Sequence, residues 1–206
     1  GKVTVTGIIE EEELGGHSRR MRRKSMASGS VDNVLTVLRR RLPVDPRDFD
    51  IHVNFPGGVP VDGPSAGSAI FVAIYSALTG TPVDNKVAIT GEISVRGHVK
   101  PVGGIVAKVA ASRQAGATRV LIPRENWQEM FRKQTGFEVV PVETVEELLD
   151  HALLVEKPEL KVIAANTPVV NVCATVWRNS AAGLSSKNRS TSRTPALNSL
   201  ESERPG

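Results

Sequence analysis

The chain has 206 residues, a formal net charge of +4 and one cysteine, Cys173. A chain of this length buries a core without disulfides, and a lone cysteine excludes an internal disulfide framework and a cysteine-rich zinc site. Five basic and two acidic residues from Arg178 onward supply most of the net charge, so the nearly neutral remainder argues against a nucleic-acid footprint.

Apolar residues recur with strand or helix periodicity over the first 154 residues. In chain order the sequence predicts a strand at 2–9, a helix at 31–41, a strand at 49–55, a helix at 65–79, a strand at 86–92, a tight hairpin at 95–99, a helix at 105–115, a strand at 119–122, a helix at 126–134, a strand at 137–142 and a helix at 145–154. Helices and strands are interspersed without a regular βαβ rhythm, and a hairpin falls in the middle. This order predicts an α+β fold with a mixed sheet.

The periodic pattern fades after residue 154, which divides the chain into three parts. We assign 1–155 to one folded domain and 156–177 to a C-terminal extension with a candidate strand at 169–176. Residues 178–206 are rich in Ser, Thr, Asn and Arg and lack apolar periodicity, so a disordered tail is predicted. The chain begins at Gly1 directly in strand-like sequence, and we expect it to be part of a longer protein.

The segment Gly63-Pro64-Ser65-Ala66-Gly67 matches the G-x-S-x-G nucleophile elbow of α/β-hydrolases. In that elbow the serine directly follows a buried strand, whereas here a Pro/Gly-rich loop separates Ser65 from the strand that ends at Phe55. An acid and then a histidine should follow the serine, but His98 and His151 are the only histidines downstream. The elbow interpretation is therefore disfavoured.

The residues before the second predicted helix place Ser65 in its first turn. Pro64 suits the first helical position because it lacks the N–H that would be unpaired there, and Asp62 suits the N-cap. Free amides and the positive end of the helix dipole would stabilise an alkoxide or an oxyanion, so Gly63, Pro64 and Ala66 form a candidate oxyanion or substrate loop. An ordinary capped helix packed tightly on the sheet would explain the same residues.

Lys108 falls within the predicted helix 105–115, where it can point toward the core stripe that contains Ile105 and Ser112. Burial disfavours the charged form and lowers the pKa of a lysine. A neutral amine can then remove the proton from a serine hydroxyl, which is the chemistry of a general base. The alternative is a lysine whose stem covers apolar surface while its ammonium stays in water.

Six segments resemble, in order and spacing, the proteolytic domain of Lon, the ATP-dependent protease. They are 62–67 (DGPSAG), 90–93 (TGEI), 96–97 (RG), 101–108 (PVGGIVAK), 115–116 (AG) and 121–126 (LIPREN). The resemblance extends from about residue 1 to residue 154 and is more specific than any single motif. It implies the Lon proteolytic-domain fold, a ribosomal-protein-like arrangement of helices and a mixed sheet.

By this resemblance Ser65 is the nucleophile and Lys108 the general base of a serine endopeptidase. Thr90 is then expected to hold the lysine and the serine in register, and Asp62 to shape the loop before the serine. The implied function is hydrolysis of unstructured or unfolded polypeptides in protein quality control.

The predicted strand at 49–55 differs from its counterpart in many bacterial Lon domains, which carries two histidines before the catalytic loop. His52 is present, Asn54 replaces the second histidine, and Val61 stands where a lysine is common. These differences resemble a divergent, Lon B-like branch. We interpret His52 as a strand residue with a structural hydrogen bond.

The resemblance also implies a nucleotide and partners. No G-x-x-x-x-G-K-[ST] phosphate loop occurs in the 206 residues, so ATP and Mg²⁺ are expected only on an ATPase domain outside them, with no cofactor or metal on this chain. Unfolded polypeptides are the expected substrates, and a six-membered homo-oligomeric ring, weak in isolation, is the expected assembly. With no secretory segment and no apolar run of roughly 20 residues, we expect a cytoplasmic chain without a membrane or nucleic-acid partner.

Two other functions stay open at this point. A small-molecule kinase of the GHMP type has a similar fold and a Pro-Gly-Ser-Ala phosphate loop that residues 63–69 could imitate, although Lys108 would then have no role. A non-enzymatic RNA-binding module of similar fold is the second alternative. The near-neutral body and the eight aromatic residues argue against RNA stacking and phosphate contacts.

Overall fold

The computed structural model describes residues 1–7, 11–14, 21–55, 63–132, 135–154 and 170–173, with side chains described outside 11–14, 21–24 and 170–173. The helices in these ranges are α1 (Met26–Arg41), α2 (Gly67–Thr79), α3 (Ile105–Gln114) and α4 (Val145–Ala152). The strands are β1 (Val3–Thr6), β2 (Glu11–Leu14), β3 (Met21–Lys24), β4 (Ile51–Asn54), β5 (Val87–Ile89), β6 (Glu92–Ile93), β7 (Val99–Lys100), β8 (Arg119–Pro123), β9 (Glu138–Val142) and β10 (Val170–Cys173). Short 3₁₀ turns lie at Pro46–Asp48, Pro64–Ala66, Arg124–Asn126 and Glu129–Phe131. None of the helices in the described ranges combines the length and hydrophobicity that crossing a bilayer requires.

Two three-stranded parallel sheets form the framework. One has the order β1-β4-β10 and places Val3 opposite Ile51, and the other has the order β5-β8-β9 and places Val87 opposite Arg119. The pairs β2-β3 and β6-β7 are antiparallel. Parallel and antiparallel pairing therefore coexist with helices, which confirms the predicted α+β class.

The larger core lies between α1, α2, α4 and strand β4. Helix α1 begins at an N-cap, Ser25, whose hydroxyl accepts a hydrogen bond from the Ser28 amide, and its last turn carries three arginines that complement the helix dipole. Helices α1 and α2 bury apolar side chains at helical spacing. The largest fully buried side chains of this core are Phe71, Leu38, Ile51, Ile70, Ile74, Ile93, Leu121 and Leu148.

A smaller core lies where α3 packs against the second sheet. Its buried members are Ile105, Val109, Val120, Ile122, Phe131, Phe137 and Val139. Of the ten residues of α3, three are buried, namely Ile105, Val109 and Ser112. This helix is therefore fixed by fewer apolar contacts than α1 or α2, and side-chain hydrogen bonds have a larger share in setting its position.

The predicted helix at 126–134 is wrong. Two 3₁₀ turns, Arg124–Asn126 and Glu129–Phe131, stand in its place, and Trp127 and Gln128 between them have extended backbone. The side chain of Asn126 binds backbone in another loop, and Phe131 is buried in the smaller core. These tertiary contacts outweigh the local helical preference of the segment.

The predicted strand at 86–92 is divided in two. It pairs with β8 only over Val87–Ile89, and after Thr90 and Gly91 the chain continues as β6, which pairs with β7 in the predicted hairpin. The break places two residues outside any ladder, and their polar groups bind the turn that contains Ser65.

The remaining predicted elements are present with shifted ends. Helix α1 begins five residues earlier than predicted, and α4 ends at Ala152. Strand β10 lies inside the candidate strand 169–176 and pairs in parallel with β4. The predicted domain limits at 155 and 177, and most of the extension and tail, lie outside the described residues and stay predictions.

Candidate active site

Ser65 lies in the 3₁₀ turn Pro64–Ala66, immediately before α2, and it is half-buried. The α-helix itself begins at Gly67, two residues later than predicted. Because Pro64 occupies the first position of the turn, Gly63 is the N-cap, and no side chain caps it. The prediction of Asp62 as N-cap is therefore wrong, and Asp62 itself lies outside the described residues.

The break after β5 holds the backbone of the serine turn. The Ser65 carbonyl accepts one hydrogen bond from the Gly91 amide, at 2.9 Å, and another from Thr90 Oγ1, at 3.3 Å. In return the Ser68 amide donates to the Gly91 carbonyl at 3.0 Å. The two segments thus bind each other at Ser65 and again at Ser68, and Ser65 has little freedom to move relative to Thr90.

Glycines make this close approach of backbones possible. A Cβ atom at Gly67 would lie 2.6 Å from Ser30 Oγ and 3.1 Å from the Ile93 amide nitrogen. One at Gly91 would lie 2.6 Å from Ser68 Oγ and 2.7 Å from Val99 Cγ1. Neither position has room for a side chain without movement of its neighbours.

Two buried serines support the turn from inside. Ser30 on α1 is 3% exposed, and its hydroxyl donates to the Pro64 carbonyl at 3.3 Å. Ser68 on α2 is fully buried, and its hydroxyl oxygen has no hydrogen-bond partner among the described residues. Ser30, Ser68 and Gly91 were not predicted as site residues. Gly91 lies in the TGEI segment, and Ser30 ends the stretch 26–30 (MASGS), which also resembles the family.

Lys108 reaches the same place from α3. Its Nζ donates to Thr90 Oγ1 at 3.5 Å, and Thr90 is 8% exposed. Burial of the half-exposed side chain lowers the pKa of the Lys108 amine below its ordinary value. The Thr90 hydroxyl accepts this hydrogen bond from Lys108 and donates its own proton to the Ser65 carbonyl.

Thr90 is thus the residue that connects the two principal candidates. Among the described residues no hydrogen bond joins Ser65 Oγ directly to Lys108 Nζ, so the connection between them passes through the Thr90 hydroxyl. A Ser–base pair often has loose hydrogen bonds in a structure without substrate. The structure brings Ser65, Thr90 and Lys108 together, and their catalytic roles stay predictions.

The candidate oxyanion or substrate loop adjoins Ser65, but its residues differ in exposure. Gly63 and Pro64 are half-exposed, whereas Ala66 is buried. Pro64 has no N–H, and the amides of Gly67 and Ser68 already donate to Pro64 and Gly91 carbonyls. The amides of Ser65 and Ala66 are candidate donors at this end of the helix.

The loop before α3 is attached to another turn by Asn126. The Val102 amide donates to Asn126 Oδ1 at 2.8 Å, and Asn126 Nδ2 donates to the Val102 carbonyl at 3.1 Å. Lys108 lies six positions after Val102. In the sequence, Asn126 marks only the end of the 121–126 segment, and no local pattern predicts its contact with residue 102.

His52 lies on the other sheet. Thr6 Oγ1 donates to Asn54 Oδ1 at 2.9 Å and lies 3.1 Å from His52 Nε2, so the threonine oxygen accepts the imidazole N–H. This contact agrees with the interpretation of His52 as a strand residue with a structural hydrogen bond. Within the described ranges, no group of three or more His, Cys, Asp or Glu side chains could hold a metal ion.

Comparison with known proteins places this geometry in a family. The sequence profile described as Lon protease (S16) C-terminal proteolytic domain matches residues 24–155. The chain is 52% identical over 161 residues to Lon protease 2 of Bacillus subtilis (strain 168), an alignment that covers 78% of the chain and 29% of the relative. It is 43% identical over 138 residues to Lon protease of Clostridium beijerinckii (62% of the chain, 17% of the relative) and 44% identical over 155 residues to Lon protease of Methylocella silvestris (72% and 16%).

These matches show to which family the chain belongs and how much of each relative the chain covers. The profile covers more than half of the chain, which confirms the predicted family. The chain spans less than a third of the length of these curated relatives. The assignment to a Lon B-like branch stays a prediction.

Proposed function

The chain belongs to the Lon proteolytic-domain family and carries its serine-endopeptidase domain, and from this premise we propose that Ser65 and Lys108 form the catalytic dyad. The observation that supports the dyad is the Thr90 hydroxyl, which accepts from Lys108 Nζ and donates to the Ser65 carbonyl. One residue thereby fixes the base relative to the backbone of the nucleophile.

The proposed reaction needs Lys108 in its neutral form. A neutral amine has two protons and one lone pair, so one N–H can donate to Thr90 while the lone pair faces the Ser65 hydroxyl. Burial favours this form because it lowers the lysine pKa. Burial is the cause of this shift, and no charged side chain in the described part of the chain is among its causes.

Acylation begins when Lys108 takes the proton of Ser65 Oγ and the oxygen forms a bond with the scissile carbonyl carbon. The resulting ammonium gives its proton to the peptide nitrogen as the C–N bond breaks, and the amine product leaves. In deacylation neutral Lys108 takes a proton from water, the hydroxide attacks the ester, and Ser65 recovers its proton as the acid product leaves. We propose that the amides of Ser65 and Ala66 bind the oxyanion of both tetrahedral intermediates.

We propose unfolded or unstructured polypeptides in cytoplasmic quality control as substrates, and a six-membered homo-oligomeric ring as the working assembly. An extended segment exposes its scissile carbonyl, whereas a folded protein must first unfold locally at a cost of several kcal/mol. ATP-driven unfolding would belong to a domain outside these 206 residues. The chain itself should then cleave loose polypeptides such as casein slowly and without a response to ATP and Mg²⁺.

The kinase and RNA-binding alternatives gain no support from the site. Neither gives a role to a half-buried lysine with a lowered pKa whose amine contacts a buried threonine. Family membership also points to proteolysis.

The dyad is tested with a fluorophosphonate, which reacts with activated serine hydroxyls, and with an unstructured fluorogenic peptide. The probe should modify the tryptic peptide that contains Ser65. Ser65→Ala and Lys108→Ala should each lower peptide hydrolysis by roughly 10³-fold or more, and the double variant should be hardly worse than either single one. Lys86→Ala, which changes an exposed lysine, is the matched control and should behave like wild type. Retention of most activity by Lys108→Ala, with His52→Ala inactive instead, would contradict the dyad.

A further inference from the structure

Asn126 binds both backbone groups of one residue in a distant loop. Its side-chain oxygen accepts from the Val102 amide at 2.8 Å, and its side-chain nitrogen donates to the Val102 carbonyl at 3.1 Å. The 3₁₀ turn Arg124–Asn126 that contains it directly follows β8, the central strand of the second sheet. The loop is therefore attached to one of the most firmly paired elements of the domain.

The attached loop has little packing of its own. Pro101, Gly103 and Gly104 are exposed, and a Cβ atom added at Gly103 would meet nothing within 4 Å. Gly104 has a left-handed backbone, with φ at +68°, and is the N-cap of α3 without a side-chain hydrogen bond. The two hydrogen bonds from Asn126 to Val102, together with the packing of the Val102 side chain against the smaller core, are thus the restraints on this stretch.

The loop leads directly to Lys108. The Lys108 amide donates to the Gly104 carbonyl at 3.0 Å, which is the first hydrogen bond of the α3 ladder. Helix α3 is anchored to the smaller core mainly by Ile105 and Val109. A loop that moves at Val102 therefore moves the first turn of the helix, and with it the amine that contacts Thr90.

We propose that Asn126 is a positioning residue for Lys108: by holding Val102 it sets the start of α3 and keeps the amine in its half-buried place against Thr90. This role rests on the proposed Ser–Lys mechanism. The side-chain hydrogen bonds of Asn126 go to Val102 and not to Ser65. Asn126 acts on the reaction through the place and the hydration of the base.

The charged side chains around this segment do not account for the lowered pKa of Lys108. Lys100 and Glu125 form an ion pair at 3.3 Å, and Arg124 binds Glu143 at 3.3 Å, with all four side chains at least half-exposed. Arg113, at the far end of α3, is exposed. None of them is a cause of the lowered Lys108 pKa, which has burial as its cause.

Asn126→Ala tests the proposal. We expect kcat for an unstructured peptide to fall by roughly 10- to 100-fold near neutral pH, the cost of a base displaced by about 1 Å. KM should stay within about twofold, because no substrate contact is removed. Since water gains access to the amine, its pKa should rise, the midpoint of the pH–kcat profile should move to higher pH, and the defect should shrink in alkaline solution.

Two control variants separate this role from a general loss of stability. Lys100→Ala breaks the ion pair at the end of β7, next to the loop, but leaves the Asn126 hydrogen bonds, and Asn85→Ala removes an exposed asparagine elsewhere. Both should keep the wild-type midpoint. If Asn126→Ala does not fold, Asn126→Ser should replace it, because a shorter hydroxyl cannot bind both Val102 groups, and the same shift is expected. Thermal unfolding and fluorophosphonate labelling at each pH report the folded and reactive fractions.

The outcomes are distinguishable when Lys108→Ala is measured in parallel. If Lys108→Ala is inactive and the asparagine variants show wild-type kcat, or an equal loss at every pH with an unchanged midpoint, the positioning role is overturned while the dyad stands. If Lys108→Ala keeps its activity, the dyad itself is overturned, and the positioning role falls with it.

Discussion

Ser65 and Lys108 are held in different ways. Ser65 is fixed through its own backbone, because its carbonyl accepts hydrogen bonds from the Gly91 amide and the Thr90 hydroxyl. Glycines permit the close approach of the two segments, and the larger core lies behind it. Lys108 belongs to a helix with three buried residues, and its position depends on side-chain hydrogen bonds to Thr90 and, through Val102, from Asn126. Substitutions near the serine should therefore change stability and activity together, whereas those near the lysine should change activity and its pH dependence with little effect on stability.

Thr90 belongs to both regions, and its replacement should have the largest effect of any substitution outside the dyad. Thr90→Val keeps the shape but removes the hydroxyl that accepts from Lys108 Nζ and donates to the Ser65 carbonyl. We expect kcat/KM for peptide hydrolysis to fall roughly 10²-fold, because the base loses its fixed position. Thr90→Ser retains the hydroxyl and should retain most activity. Equal losses in the two variants would mean that the methyl group, and not the hydroxyl, is the part that matters.

The backbone contact around Ser65 is tested by Gly91→Ala. The new methyl group would lie 2.6 Å from Ser68 Oγ and 2.7 Å from Val99 Cγ1, so we expect a loss of about 1–3 kcal/mol in the free energy of unfolding, with reduced activity. The measurement is the midpoint of denaturant unfolding.

Two variants sharpen this test. Gly103→Ala, which adds a methyl group in open space, is the matched control and should leave the midpoint near wild type. Ser68→Ala removes a buried hydroxyl without a partner in the described part of the chain, so alone it should be neutral or slightly stabilising. Added to Gly91→Ala it should recover part of the loss, since the contact with Val99 persists. A Gly91→Ala chain as stable as wild type would refute the tight contact.

The smallest expected effect concerns stability and pH at Lys108. The pKa of this amine is lower in the folded than in the unfolded chain, so the unfolded state binds more protons between the two pKa values and stability rises with pH in that window. Below the folded pKa both states are protonated, and the cost of burying the ammonium is fully present. Lys108→Met should therefore be more stable than wild type near neutral pH, and the difference should shrink as the pH approaches 10.5.

Lys86→Met, at an exposed site, is the control for this measurement and should show no such convergence. Chemical denaturation at several pH values gives the comparison. A Lys108→Met difference that stays constant with pH would contradict a lowered pKa in the folded chain.

The sequence predicted the parts of the fold that depend on local pattern. The α+β class, helices α1 to α4 and the β6–β7 hairpin follow from apolar periodicity and glycine positions, and the Lon family follows from six ordered segments. The helix predicted at 126–134 failed because Asn126 and Phe131 use their side chains in tertiary contacts. The secondary-structure propensity of a segment contains no information about such tertiary contacts.

The residues of the candidate site also fall into those that the sequence predicted and those that it did not. Ser65, Thr90 and Lys108 were identified because each lies in a motif of the family, and the structure brings them together. Ser30 and Asn126 also lie in segments that resemble the family, but they were missed because their partners, Pro64 and Val102, are more than 20 positions away. Asp62 was predicted to be the N-cap, but the turn begins at Pro64 and its N-cap is Gly63, one residue later in the chain.

The parallel order β5-β8-β9 also determines where the chain is free to change in length. Thr90 follows the carboxyl end of β5 and Asn126 the carboxyl end of β8, so the site draws on a single edge of this sheet. The connections at the opposite edge, around residues 84–86, 116–118 and 135–137, enter the strands from their amino ends. Insertions or fused peptides there would extend the molecule away from the reacting groups, and we expect relatives of this domain to differ in loop length mainly at that edge.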